Sequence, residues 1–136
     1  MNNRINIVIA DDDLDDHLFF EEALRSVQPA NFGITSFYNG RQLLDYLEAF
    51  GPSDILPDVI IIDLNMHFLD GQNTLTKIKA SPRLQHIPVF ILTTAASNDQ
   101  KKKCAETGCS GYYIKPIKLK ELEVIIQEIL LKAVAA

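Results

Sequence analysis

At 136 residues, 47% of them hydrophobic, the chain can bury one core and has no room for a second domain of ordinary size. Its formal net charge of -5 conceals thirteen Asp and Glu against three Arg in residues 1–70, and ten Lys and Arg against five Asp and Glu in residues 71–136. Apart from Lys101-Lys102-Lys103 the basic charges are scattered over predicted helices, which excludes a nucleic-acid arm, and no run of about 18 apolar residues is present to span a bilayer.

The first predicted element is a strand, Arg4–Ala10, running into Asp11-Asp12-Asp13. A helix follows, with Phe20, Leu24 and Val27 at helical spacing before Pro29. Asp13, Asp15 and Asp16 read as favourable charge at its amino terminus, without chemistry of their own, and His17 reads as a surface residue. Gly33–Tyr38 is a short strand, and Asn39 can cap a helix carrying Leu43, Leu44 and Leu47 that Gly51-Pro52 ends. Next comes Asp58-Val59-Ile60-Ile61-Ile62-Asp63, four β-branched apolar residues closing on a carboxylate. That run reads as a strand buried on both faces, with Asp63 emerging at its carboxyl end.

A loop through Gly71 leads to a helix with Leu75 and Ile78, stopped at Ser81-Pro82. Pro88–Thr93 is a fourth strand, Ser97-Asn98-Asp99-Gln100 a capping box opening the next helix, and Gly108 its end. Gly111–Lys115 is a fifth strand. Leu119, Leu122, Ile126, Ile129 and Ala133 form the apolar stripe of a last helix, for which Lys118 is a poor cap. Five strands alternating with five helices specify an α/β fold, a doubly wound parallel sheet with right-handed crossovers, in a single domain spanning residues 1–136. Cys104 and Cys109 have neither redox nor metal-ligand spacing and read as free thiols of a reducing cytosol.

In such a sheet the strands' carboxyl ends share one rim, where open α/β sheets place their chemistry. Asp63 and the acidic cluster after the first strand would meet there and repel, raising at least one pKa unless a cation neutralises them. A hard divalent ion with oxygen ligands is the natural resolution, Mg2+ first and Mn2+ as the alternative. Thr93 and Lys115 close the fourth and fifth strands at the same rim. Together these groups supply a metal seat, a nucleophile, a hydroxyl donor and a fixed ammonium, which suits phosphoryl transfer to a carboxylate.

With Asp11, Asp12, Asp63, Thr93 and Lys115 in this order, the chain resembles a response regulator receiver domain of two-component systems over essentially its whole length. The resemblance implies a flavodoxin-like sheet of order 2-1-3-4-5. It implies that Asp63 accepts the phosphoryl group, and that Asp11, Asp12, Asp63 and the backbone carbonyl of Asn65 hold Mg2+. Thr93 would bind a phosphoryl oxygen, Lys115 would form the ion pair, and Tyr112 would be the switch aromatic. The implied donor is a sensor histidine kinase or histidine phosphotransfer protein, and the output a changed surface of the fourth helix, fifth strand and fifth helix. Such a protein catalyses its own phosphorylation and dephosphorylation but turns over no substrate.

Where the family commonly has a proline four residues after the phosphoacceptor, this chain has His67, read as an exposed loop residue, as is His86. Ala95, two residues beyond Thr93, offers no side chain to place a hydrolytic water. With the final helix ending the sequence, a stand-alone cytoplasmic receiver without a DNA-binding or membrane part is expected, acting on a downstream protein. The acidic first loop and terminal helix are similar to receivers paired with phytochrome-type kinases. Val124, Ile125, Leu130 and Leu131 lie outside the core stripe and suggest a homodimer through the last helix and strand.

Three other functions are compatible with parts of the sequence. A pseudo-receiver would keep the fold as a binding module without phosphorylation, against which the complete rim argues. A haloacid-dehalogenase-like phosphatase wants an aspartate two residues after its nucleophile, where this chain has Asn65. A flavodoxin-like cofactor carrier wants a Ser-, Thr- and Gly-rich phosphate loop where Asp11-Asp12-Asp13 stands.

Overall fold

The computed structural model describes residues 4–27, 31–94 and 97–135. Pro29 and Ala95 lie outside the described residues. In chain order the elements are β1 (Ile5–Ala10), α1 (Leu14–Arg25), β2 (Phe32–Phe37), α2 (Gly40–Glu48), β3 (Val59–Ile62), α3 (Gly71–Ala80), β4 (Val89–Thr93), α4 (Asn98–Thr107), β5 (Gly111–Ile114) and α5 (Leu119–Ala135). The strands form one sheet of order β2-β1-β3-β4-β5, every pairing parallel. Sequence and resemblance predicted this architecture, and the element ends differ by only a residue or two.

The sheet is buried on both faces because its inner strands are apolar at nearly every position, the exceptions being Asn6 near the start of β1 and Thr93 at the end of β4. Side chains alternate across a strand, so Val8, Ala10, Ile60, Ile62, Val89 and Ile91 pack with Leu43, Leu44 and Leu47 of α2, Leu75 and Ile78 of α3, and Cys104 of α4. Ile7, Ile9, Val59, Ile61, Phe90 and Leu92 pack on the other face against Phe20, Ala23 and Leu24 of α1 and Leu122, Ile126 and Ile129 of α5. Each fully buried side chain of this size contributes about 1.5–3 kcal/mol, which is what holds the rim residues in fixed positions.

The helix ends use the chemistry that their sequences offer. Asn39 accepts the Gln42 N–H at 2.8 Å, Ser97 accepts the Gln100 N–H at 3.3 Å, and Asp70 caps α3 through the Asn73 N–H at 2.8 Å. Gly108 ends α4 with φ 114°, a left-handed geometry that glycine adopts without a Cβ clash. In α5, Leu130 is buried and Ile125 half-buried, so only Val124 and Leu131 of the four extra apolar residues remain exposed. The helix thus buries a wider face than its five-residue stripe predicts.

Two sequence expectations for α1 are overturned. His17 is 2% exposed, where a surface residue was expected. It lies on the stripe it shares with Phe20, Leu24 and Val27, and its Nε2 lies 2.8 Å from the Asp11 carbonyl oxygen, with its ring 4.7 Å from that of Tyr38. Asp16, expected to serve only the helix terminus, reaches the functional rim.

Candidate functional site: a carboxylate rim around Lys115

The sheet continues its ladder one step past each strand and so fixes the rim. The Asp11 N–H donates to Phe37 at 3.0 Å, the Asp63 N–H to Ala10 at 3.0 Å, and the Lys115 N–H to Thr93 at 2.9 Å. Asp11 and Asp63 are therefore positioned by the same hydrogen bonds that make the sheet. Each carboxylate also accepts a backbone N–H two residues on, Asp11 from Asp13 at 3.0 Å and Asp63 from Asn65 at 3.2 Å. These local turns set the side-chain rotation.

Asp11, Asp12 and Asp63 each present an oxygen within 4.8 Å of the others. Asp11 and Asp63 are buried and Asp12 faces outward, so the trio opens to solvent on one side. Lys115 Nζ stands 2.7 Å from Asp11, 2.6 Å from Asp16 and 2.9 Å from Asp63. Three carboxylates around one ammonium, with Asp12 beside them, leave an excess of negative charge. A hard, oxygen-ligated cation is the species that this donor set fits.

Burial raises the Asp11 carboxyl to about 6, outweighing the hydrogen bonds from Lys115 and the Asp13 backbone that lower it. For Lys115 burial acts downward, but hydrogen bonds to Asp11, Asp16 and Asp63 prevail and hold the ammonium above its ordinary value. Asp11 thus binds a proton more tightly folded than unfolded, so folding is favoured below its unfolded pKa of about 4 and that advantage is lost as pH rises through about 6. Measured in EDTA against Asp11→Asn, the parent's relative stability is expected to fall by up to about 3 kcal/mol between about pH 4 and pH 7. Urea unfolding midpoints check this, and a flat or rising difference would refute it.

Thr93 is fully buried at the end of β4. Strand alternation places it on the same face as Ile91, whose neighbour on β5 is Tyr112. Tyr112 is half-buried against the core shared by α2, α3 and α4, so the two residues proposed for switching lie on one face of adjacent strands. Asn65 is exposed. His67 is exposed as expected, with Nε2 3.6 Å from Asp12 Oδ2. Beside it Phe68 has φ 67° and is 90% exposed, closed by a 2.8 Å bond from the Leu69 N–H to the His67 carbonyl. An aromatic held at positive φ in open solvent contributes nothing to the core.

The arrangement of strand ends, carboxylates and lysine has a counterpart among known proteins. The response regulator receiver domain model matches residues 7–127. This chain belongs to the response regulator receiver family. The receiver is 36% identical to the probable methanogenesis regulatory protein FilR2 of Methanothrix harundinacea over 67% of its own length and 59% of that protein's. It is 28% identical to the two-component response regulator ORR8 of Oryza sativa, over 90% of this chain and 95% of ORR8.

Among solved structures the receiver resembles the phosphorylated cyanobacterial phytochrome response regulator RcpA, with TM-score 0.82, 27% identity, and 93% and 91% of the two chains covered. It also resembles the Mn2+-bound form of the response regulator Rcp1, with TM-score 0.80, 28% identity, and 92% and 91% covered. The receiver's rim thus holds the residues found from sequence, Asp11, Asp12, Asp63 and Lys115, and adds Asp16, which sequence reasoning missed. Among its described residues no helix is long and apolar enough to cross a membrane. Cys104 and Cys109 are free thiols, Cys104 being a core residue of α4 with Sγ 3.2 Å from Gln72 Oε1.

Proposed function

We propose that this receiver accepts a phosphoryl group on Asp63 from the phosphohistidine of a sensor histidine kinase or phosphotransfer protein, with Mg2+ or Mn2+ at Asp11, Asp12, Asp63 and the Asn65 carbonyl. The observation that carries this reading is the Asp63 carboxylate, 4% exposed, oriented by the Asn65 N–H and in contact with the Lys115 ammonium at the mouth of an acidic trio. A divalent cation bound there supplies positive charge against the phosphoryl oxygens. An Asp63 oxygen attacks phosphorus in line; the new O–P bond forms as the donor's N–P bond breaks and its electron pair returns to the imidazole. Lys115 neutralises an equatorial oxygen and Thr93 donates a hydrogen bond to another. Positioning does most of the work, because the donor is already activated.

Phosphorylation of RcpA and Mn2+ binding by Rcp1, as their descriptions state, support the same chemistry here, and RcpA's phytochrome pairing supports a phytochrome-type kinase as donor. Exposed Leu14 and Leu18 on α1, Phe68 after β3 and Ile117 after Lys115 border the rim and offer the donor protein an apolar contact.

Output is proposed to run from Thr93 through Tyr112 to α4, β5 and α5, a change of surface that a downstream protein reads. Among the residues of α4 only Cys104 is buried, so little apolar contact opposes its movement. Beside β5, a groove of about 720 Å³ lined by Ile114, Pro116, Ile117, Val124 and Ile125 suits a homodimer contact.

The test is intact-protein mass after incubation with acetyl phosphate and Mg2+, for the parent and Asp63→Asn. A metal-dependent gain of one phosphoryl group, lost in the variant, is expected; no gain in the parent would leave a phosphorylation-independent binding module. The same samples on a sizing column test the assembly, and a monomer before and after modification removes the dimer.

A further inference from the structure

An ammonium has three N–H donors, and Lys115 has three carboxylates around it, Asp16 at 2.6 Å, Asp11 at 2.7 Å and Asp63 at 2.9 Å. Two of these acceptors belong to the trio able to hold a cation; Asp16 does not. Its availability follows from the local sequence. Asp16 is the third residue of α1 after the cap Asp13, where an acidic side chain commonly turns back to the cap's own N–H. Here that N–H is already bonded to Asp11, so Asp16 is left to reach across to β5. Beneath the pair is a small cleft of about 30 Å³ whose lining includes Phe19, Phe20, Leu92 and Leu122. The Lys115 side chain is 12% exposed, and its three donors are matched by three carboxylates.

We infer that Asp16 is a positioning residue that draws the Lys115 ammonium toward α1 and keeps it from settling between Asp11 and Asp63 as an internal substitute for the divalent cation. This role rests on the metal reading above. Asp16 is the acceptor whose hold on Lys115 persists when Asp11 and Asp63 turn to a cation or Asp63 carries a phosphoryl group. Without it the ammonium tightens on the other two carboxylates, and the rim loses one negative charge. Both changes weaken cation binding.

The test is Mn2+ affinity, by calorimetry or loss of the free-ion EPR signal, for the full chain and for Asp16→Asn, Asp16→Glu, Lys115→Met and the Asp16→Asn/Lys115→Met double variant, with melting curves for each. Asp16→Asn is expected to weaken Mn2+ binding about five- to tenfold, and Asp16→Glu to stay within about twofold of the parent. In the Lys115→Met background the same Asn substitution should cost no more than about twofold, because the ammonium it positions is gone. Parent-like affinity in Asp16→Asn overturns the role. So does an equal loss in both backgrounds, which would make Asp16 a distant charge only. A parent that binds no Mn2+ removes the metal reading itself, and the role with it.

Discussion

Lys115→Met is expected to destabilise the metal-free protein by about 3 kcal/mol at neutral pH, a loss that Mg2+ largely restores. Lys115 is the sole Lys or Arg paired with rim carboxylates among the described residues, and the Asp11 and Asp63 side chains beside it are each 5% exposed. Removing the ammonium leaves those carboxylates facing each other and Asp16 without a countercharge. Breaking a buried ion pair in this way costs about 3–5 kcal/mol, because the surviving charge is uncompensated. The lower figure applies because Asp11, already raised to about 6, can take up a proton and relieve the repulsion. For the same reason the loss should shrink on acidification below about pH 5, where Asp11 is mostly protonated. A divalent cation does what the proton does, with more charge. Urea unfolding of parent and variant in EDTA and in Mg2+ measures both parts; a variant as stable as the parent in EDTA would show that desolvating Lys115 costs as much as its pairs return.

What the sequence made legible follows from how strongly each position is constrained. The run from Val59 to Ile62 has nowhere to go but the centre of a parallel sheet, and it carries Asp63 to the rim with it. The same reasoning holds for Ala10 before Asp11 and for Ile114 before Lys115. Once the strands were recognised, topology brought Asp11, Asp63, Thr93 and Lys115 to one edge without knowledge of any side-chain rotamer.

Helix positions next to that edge were harder, because one residue of rotation changes a side chain's destination by about a quarter turn. His17 was nevertheless readable: counting back three from Phe20 and seven from Leu24 lands on it, and only its polarity argued for the surface. A hydrogen bond to the Asp11 carbonyl satisfies Nε2, while the buried Nδ1 has no hydrogen-bond partner among the described residues. Asp16 lies on the same face, four before Phe20 and seven before Ala23, but periodicity names no partner for it. Its partner lies 99 residues away, and its freedom to reach Lys115 depends on the Asp13 N–H being already bonded to Asp11, which only three-dimensional coordinates reveal. The burial of Leu130 and the exposure of Leu131 likewise depend on how α5 lies against the face of the sheet beside α1.

Gly71→Ala should be the second large effect, and it links the fold directly to the site. Gly71 opens α3, and its N–H donates to the Leu64 carbonyl at 3.0 Å, so the helix starts against the backbone just past Asp63. A Cβ at this position would collide with the Asp63 carbonyl oxygen and come within 2.6 Å of Leu64 Cα. Both are backbone atoms of the segment that carries Asp63, the proposed phosphoacceptor, and neither can swing aside as a side chain would. The substitution must therefore separate α3 from the end of β3, at a cost of about 3 kcal/mol. The displaced atoms include the backbone that orients Asp63, so phosphoryl uptake should fall by more than the fraction of unfolded protein explains. Gly51→Ala is the matched control: its Cβ would meet nothing closer than the Asp54 carboxylate at 3.3 Å, and a change within about 0.5 kcal/mol is expected. Unfolding midpoints and acetyl phosphate labelling of the two variants decide the matter. If Gly71→Ala matched Gly51→Ala in both measurements, the seam between β3 and α3 would be soft enough to absorb a methyl group without disturbing the carboxylate it positions.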